Sequence, residues 1–114
     1  QNNILLLDRI KKIGNKIELA ISENNLDKAS KLFNEHWTIK KKLTNNISSR
    51  YLDDQINTFK IKGAIGGKII GAGGGGFFYL LTNRKRILKK TLTEMGYYCL
   101  DLKFDHYGTK IIKL

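Results

Sequence analysis

A glycine-rich tract in the second half of the chain is the feature that most restricts its fold. Eight of the eleven glycines lie between Gly63 and Gly76. Glycine weakens helices and strands, so this density calls for positive φ angles or for a group that approaches the backbone too closely for a Cβ. Successive exposed amide N–H groups form a concave anion site, for which a phosphate is the natural ligand. A flexible hairpin loop is the alternative interpretation.

Short apolar runs flank the tract, at residues 68–70 and 77–82. They predict a strand, a glycine-rich loop and a second strand. Residues 71–76 fit the G-x-G-x-x-G spacing of a dinucleotide-binding fingerprint. That fingerprint needs a helix directly after it, whereas a strand is predicted here, so the match is weak. A Walker A loop fails because Ile69, not Ser or Thr, follows the Gly67-Lys68 pair. A KH-type RNA-binding loop fails because it needs a helix on each side.

Three amphipathic helices are predicted ahead of the tract. They cover residues 4–22, residues 26–43, and a run that extends from a cap at Ser48 or Ser49 to about residue 60. The Asn24-Asn25 pair separates the first two helices and can cap the second. On the second helix we expect five residues to face inward: Leu26, Ala29, Phe33, Trp37 and Leu43.

One helix and two strands are predicted after the tract. Asn83 is expected to cap a helix over residues 84–95, and Gly96 to end it in the left-handed conformation. Apolar alternation then predicts strands at residues 97–104 and 109–113. The order of elements indicates an α+β domain, with an antiparallel sheet and helices packed on one face.

Composition limits the class of protein. The 114 residues fit one domain, and 41% hydrophobic with 27% charged residues is typical of a globular chain. No apolar run is long enough for a membrane span, so we expect no membrane partner. The single Cys99 cannot form an internal disulfide, which indicates a reducing, cytoplasmic location.

The net charge of +11 attracts anions in general. Its basic clusters, at residues 40–42 and 84–86, are not interleaved with aromatic residues. We therefore expect no nucleic-acid partner. A solvated basic surface and attraction of a phosphate-bearing ligand are the two remaining interpretations.

The tract and the residues Phe77-Phe78 after it resemble the third conserved motif of the GHMP kinases, the superfamily of galactokinase, homoserine kinase and mevalonate kinase. The pattern G-A-x-G-G-K-x-x-G-A-G-G-G-G-F resembles more narrowly the D-glycero-D-manno-heptose 7-phosphate kinases. The segment that begins Asn34-Glu35-His36-Trp37 and ends at Leu43, followed by Ile47-Ser48, is also similar to that branch. The resemblance covers roughly residues 25–114.

The resemblance implies a two-domain enzyme in which residues 1–114 form the C-terminal domain. The family's N-terminal domain carries the main nucleotide phosphate loop, P-x-x-x-G-L-x-S-S-A, which does not occur in this sequence. The family's C-terminal domain is ferredoxin-like, and its first strand would precede Gln1. We therefore expect a fragment that is inactive by itself and that requires the N-terminal domain of the same protein.

The implied reaction is transfer of a phosphoryl group from Mg²⁺-bound ATP to the anomeric hydroxyl of a heptose 7-phosphate. ATP and Mg²⁺ would be bound mainly by the N-terminal domain, so neither a catalytic residue nor a metal ligand is expected in this chain. Lys68 can contact a substrate phosphate or can be a plain surface lysine. The loop near the transferred phosphate and the sugar would comprise Gly71, Ala72, Gly73, Gly74, Gly75 and Gly76.

Two other functions stay open at this point. One is a galactokinase-like kinase of another sugar, and the other is a ferredoxin-like regulatory module that binds a small ligand and dimerises through its sheet. The sequence leaves the oligomeric state open. His36 and Trp37 are expected to pack in the core in preference to contacting a sugar.

Overall fold

The computed structural model describes residues 2–43, 50–71, 76–103 and 105–112. Three helices precede a strand pair, and one helix follows it. The predicted cap at Ser48 or Ser49 lies outside the described residues. In chain order the elements are α1 (Asn2–Ser22), α2 (Leu26–Lys41), α3 (Arg50–Ile61), β1 (Gly66–Ile70), β2 (Phe77–Leu81) and α4 (Lys85–Glu94).

The turn between α1 and α2 forms as its two asparagines predict. Asn24 has a positive φ of 53°, a conformation that asparagine tolerates better than most residues. The Asn25 side chain accepts a hydrogen bond of 3.0 Å from the backbone N–H of Lys28. Asn25 therefore satisfies one of the free donors at the start of α2, and the predicted cap is confirmed.

Helix α1 packs against α2 through one apolar face. Ile13 and Ile17 are buried in one cluster with Phe33 and Ile39 of α2. Ile39 was not among the residues predicted to face inward; it is buried because α1 covers that side of α2. Leu26 and Leu43, which were predicted to face inward, are only half-buried. None of the helices in the described part of the chain has the length and apolarity that a membrane span requires.

The two strands around the glycine tract form an antiparallel pair, which confirms the predicted strand–loop–strand unit. Lys68 lies opposite Tyr79, and Ile70 lies opposite Phe77. The backbone N–H of Ile65 donates a 2.8 Å hydrogen bond to the carbonyl of Leu81, which extends the pairing by one residue.

Helices pack against this sheet through consecutive residues of β2. The Tyr79 ring lies 5.6 Å from the Phe33 ring of α2, and the Phe78 ring lies 4.9 Å from the Phe59 ring of α3. The α+β class, with helices packed against an antiparallel sheet, is therefore confirmed. Successive side chains of a strand point to opposite faces, so helices contact both faces of the strand pair, whereas one covered face was expected.

Helix α2 approaches β1 closely at Gly66. A Cβ added to Gly66 would lie 2.9 Å from both the Cα and the Cβ of Ser30 on α2. Real Cβ atoms do not approach other atoms so closely, so only glycine allows this separation between helix and strand. Gly66 thus contributes to packing, in addition to any role of the tract in binding.

The start of α4 differs from the prediction. Arg84, not Asn83, holds the N-cap position, and its side chain makes no capping hydrogen bond. Thr82 fixes this turn in its place, because its hydroxyl accepts a hydrogen bond from the Arg84 N–H at 3.0 Å and donates one to the Gly63 carbonyl at 2.9 Å. The predicted end of α4 is confirmed, because Gly96 has a φ of 90°.

The two strands predicted after α4 are wrong within the described residues, because residues 97–103 and 105–112 contain no strand. Residues 97–103 follow α4 instead: Cys99 packs on the cluster that contains Leu88, and the Asp101 carboxylate binds Lys85 and Lys89 at 3.2 and 2.6 Å. Ile111 is 93% exposed. The alternating apolar side chains of this segment therefore have no apolar surface among the described residues to pack against, and a strand is stable only where its side chains can pack on such a surface.

The same Gly→Ala substitution should have opposite effects at Gly66 and Gly14. Gly66→Ala should lower the free energy of unfolding by about 1–3 kcal/mol, because the new methyl group overlaps Ser30. Gly14→Ala should raise it by about 1 kcal/mol, because Gly14 lies in α1 with no atom within 4 Å of the added Cβ. Urea denaturation of both variants measures the two changes. A Gly66→Ala protein as stable as the parent would contradict the close packing.

Attachment of residues 97–103 to α4 should depend on pH. Hydrogen bonds from Lys89 and then Lys85 hold the pKa of Asp101 below its ordinary value of 3.8. A carboxylate with a lowered pKa stabilises the folded contact above its ordinary pKa, and this contribution is lost as the pH falls through the lowered value. We therefore expect the NMR resonances of residues 97–103 to move during acid titration below pH 3.8.

Asp101→Asn should cause the same movement of these resonances at neutral pH. It should leave the midpoint of thermal unfolding unchanged, because the ion pairs are exposed. Asp54→Asn on α3 removes the same charge from an exposed position and should leave residues 97–103 unaffected. Equal spectra for Asp101→Asn and the parent would show that these ion pairs do not hold the segment.

Candidate functional site

The ends of the predicted phosphate loop are fixed by the strand pair. Gly71 follows β1 with a φ of 112°, and Gly76 precedes β2 with a φ of 120°. Both angles lie in the region that side chains disfavour, so both positions require glycine for the conformation of the hairpin. Between them, the predicted site residues Ala72, Gly73, Gly74 and Gly75 lie outside the described residues.

Gly76 has a further constraint from within the hairpin. A Cβ at this position would overlap the carbonyl oxygen of Ile70. Close approach of backbone to backbone therefore explains this glycine without any ligand, and it brings the two ends of the loop together.

Lys68 lies three residues before the loop and faces α2. Its Nζ atom is 5.4 Å from the centre of the Phe33 ring, within the range of a cation–π contact. Partial burial lowers the pKa of Lys68, and the nearby charge of Lys40 lowers it further. The side chain is half-buried and has no carboxylate partner among residues 2–43, 50–71, 76–103 and 105–112.

His36 and Lys40 lie one helical turn apart on α2 and interact electrostatically with Lys68. Burial lowers the pKa of His36, and the charges of Lys68 and Lys40 lower it further. Its Nδ1 atom is buried and has no hydrogen-bond partner within the described part of the chain. We call His36, Lys40 and Lys68 the basic cluster.

Lys40 was not singled out from the sequence, where it belongs to the run at residues 40–42. The available signal was its spacing: positions 33, 36 and 40 share one face of a helix. That signal does not identify β1 as the neighbour of this face. His36 was expected in the core; it is half-buried at the edge of the core.

Trp37 packs in the core beside the basic cluster, as predicted. It is buried with Ile56 of α3 and Ile69 of β1. Its buried indole N–H lacks an acceptor among the described residues, and the buried side-chain oxygen of Asn34 on the same helix lacks a donor there. Buried polar atoms without partners are uncommon and costly, and these lie in the segment that resembles the heptose kinase branch.

The donor set of the described residues does not favour a metal. Nowhere in these residues do three His, Cys, Asp or Glu side chains come close enough to hold an ion. The cluster instead gathers nitrogen donors, two of them cationic, which suit an anion.

Comparison with protein families identifies the domain. The model for the C-terminal domain of GHMP kinases matches residues 17–98, a range that includes α2 through α4 and the whole glycine tract. Comparison with curated proteins and with solved structures gives no match. Since the family match covers well over half of the chain, the chain belongs to the GHMP kinase family and contains its C-terminal domain.

Proposed function

We propose that this chain is the C-terminal domain of a sugar kinase, which transfers the γ-phosphoryl group of ATP to a sugar hydroxyl. The observation that carries the proposal is the family match across residues 17–98, with the glycine tract held between two paired strands inside that range. The proposed acceptor is the anomeric hydroxyl of D-glycero-D-manno-heptose 7-phosphate. The sequence from Asn34 to Leu43 and the long form of the glycine motif support this branch.

The proposed role of residues 71–76 is to hold a phosphoryl group by backbone amides. Phosphoryl transfer depends chiefly on positioning and on stabilisation of charge. Amide N–H donors that are fixed in place need no reorganisation as charge develops. The paired strands fix both ends of the loop, since Ile70 and Phe77 are register partners.

Binding of ATP and Mg²⁺ is assigned mainly to an N-terminal domain of the same protein. The metal would neutralise charge on the ATP phosphates when bound. Among the described residues no three His, Cys, Asp or Glu side chains come together to hold it, which is consistent with assigning the metal to the N-terminal domain. The single Cys99 and the use of ATP favour a cytoplasmic enzyme. The proposed ligands are ATP and a sugar phosphate, and neither nucleic acid nor a membrane is proposed as a partner.

Gly74→Val in the full-length protein should abolish phosphoryl transfer. A branched side chain in the loop would obstruct the approach of a phosphoryl group to the backbone. The assay measures ADP formation with Mg²⁺, ATP and a panel of free and phosphorylated hexoses and heptoses. Circular dichroism and thermal unfolding should remain unchanged.

Gly14→Ala is the control for this experiment. Gly14 lies in α1 without a positive φ, and no atom lies within 4 Å of an added Cβ, so turnover should be retained. Normal turnover of Gly74→Val would refute the role of the loop. Binding of a sugar phosphate without ADP formation by the parent protein would favour the regulatory module instead.

A further inference from the structure

The half-buried lysines differ in whether they form an ion pair with a carboxylate. Three lysines of the described residues are half-buried, namely Lys40, Lys41 and Lys68. Lys41 binds the Asp53 carboxylate at 3.1 Å. Within the described part of the chain, no carboxylate lies within ion-pair distance of Lys40 or Lys68. A charge that is partly removed from water is normally compensated by an opposite charge, and the described residues supply none to these two lysines.

The packing of α2 on β1 brings these two lysines together. Gly66 contacts Ser30 on one side of β1, and Lys68, two residues later, points to the same side. The Nζ atom of Lys68 lies 5.4 Å from the centre of the Phe33 ring, which brings the ammonium group to the face of α2 that carries His36 and Lys40. Each of the three groups interacts electrostatically with the other two.

His36 adds a hydrogen-bond donor to the two charges. Its Nδ1 atom is buried without a partner, whereas Nε2 is not among the buried unpartnered atoms. In a neutral imidazole one nitrogen carries the proton. With the proton on Nε2, His36 can donate a hydrogen bond to an anion at the cluster.

The separation of the cluster from the loop indicates which phosphate it binds. A strand rises about 3.3 Å per residue, so Lys68 and Gly71 lie about 10 Å apart along the chain. We therefore assign the cluster to a phosphate other than the group that the loop holds during transfer. A sugar phosphate, which carries its phosphate several bonds from the accepting hydroxyl, spans a distance of this order.

We propose that Lys40, Lys68 and His36 form the site that binds the phosphate monoester already carried by the sugar acceptor, which is not transferred. The inference rests on the proposed kinase function for its meaning, but the binding site can be tested without turnover. A phosphate group of ATP has the same chemistry and could bind the same residues. The kinetic experiment distinguishes it from the phosphate of the sugar.

The first experiment measures binding of inorganic phosphate by the full-length protein. Sodium phosphate should move the imidazole NMR resonances of His36 in a saturable way and raise the pKa of His36, because an adjacent anion favours the imidazolium form. Sodium chloride of equal ionic strength should do neither. The exposed His106 serves as an internal reference whose resonances should not follow phosphate.

Matched lysine variants locate the site. Lys40→Met and Lys68→Met keep an unbranched apolar stem and remove the charge, and each should weaken phosphate binding about tenfold or more. Lys42→Met removes the same charge from an exposed position at the end of α2 and should leave binding unchanged. No saturable shift of His36, or an equal loss in all three variants, would overturn the proposed site.

The second experiment separates the two sources of phosphate by kinetics. Lys40→Met and Lys68→Met should raise KM for the phosphorylated sugar about tenfold, with KM for ATP unchanged and no effect on KM for the corresponding free sugar. A raised KM for ATP instead would assign the cluster to the nucleotide and overturn the inference. Saturable phosphate binding in a protein that has no kinase activity would support the site while refuting the proposed function.

Discussion

The close contact between Gly66 of β1 and Ser30 of α2 is the constraint on which the rest of the structure depends. A two-stranded hairpin is marginally stable in water by itself. Here the hairpin rests on α2 at a distance that only glycine permits. This contact sets the position of Lys68 relative to Phe33, and it sets the position of both ends of the glycine loop. The two ends of the loop and the basic cluster are therefore positioned by one packing interaction.

Aromatic packing on the two faces of β2 completes the anchoring. Tyr79 contacts Phe33, and Phe78 contacts Phe59, which also lies 5.0 Å from the Tyr97 ring. Edge-on and tilted aromatic pairs contribute beyond the area that they bury. Because helices hold the hairpin from both faces, the loop at its tip can contain several glycines without loss of the strands on either side.

Local sequence patterns predict the helices and strands of this fold well where characteristic residues mark the boundaries of an element. The Asn25 cap, the left-handed Gly96 and the strand–loop–strand unit all follow from residue type and spacing. Predictions that require a distant partner do less well. Alternation after Tyr97 suggests two strands, but Asp101 binds the lysines of α4, and no sheet edge within the described residues pairs with the segment.

The candidate site divides in the same way. The glycine loop and Lys68 can be identified from the sequence because they form one contiguous motif. Lys40 and His36 cannot be joined to Lys68 from spacing, since 28 positions (68 minus 40) separate Lys40 from Lys68 in the printed sequence. Only the packing of α2 on β1 makes them neighbours. Which lysines are half-buried without a carboxylate partner likewise depends on tertiary structure. The number of charged residues in the sequence does not reveal it.

Paramagnetic broadening by Mn²⁺-bound ATP tests the central claim, that the hairpin presents its loop to the phosphates of ATP. In the full-length protein, Mn²⁺ in place of Mg²⁺ should broaden the amide resonances of Gly71 and Gly76. The amide resonances of Gly14 in α1 and Gly108 in the exposed turn should remain sharp. Sharp resonances at Gly71 and Gly76 with ATP bound would contradict the account.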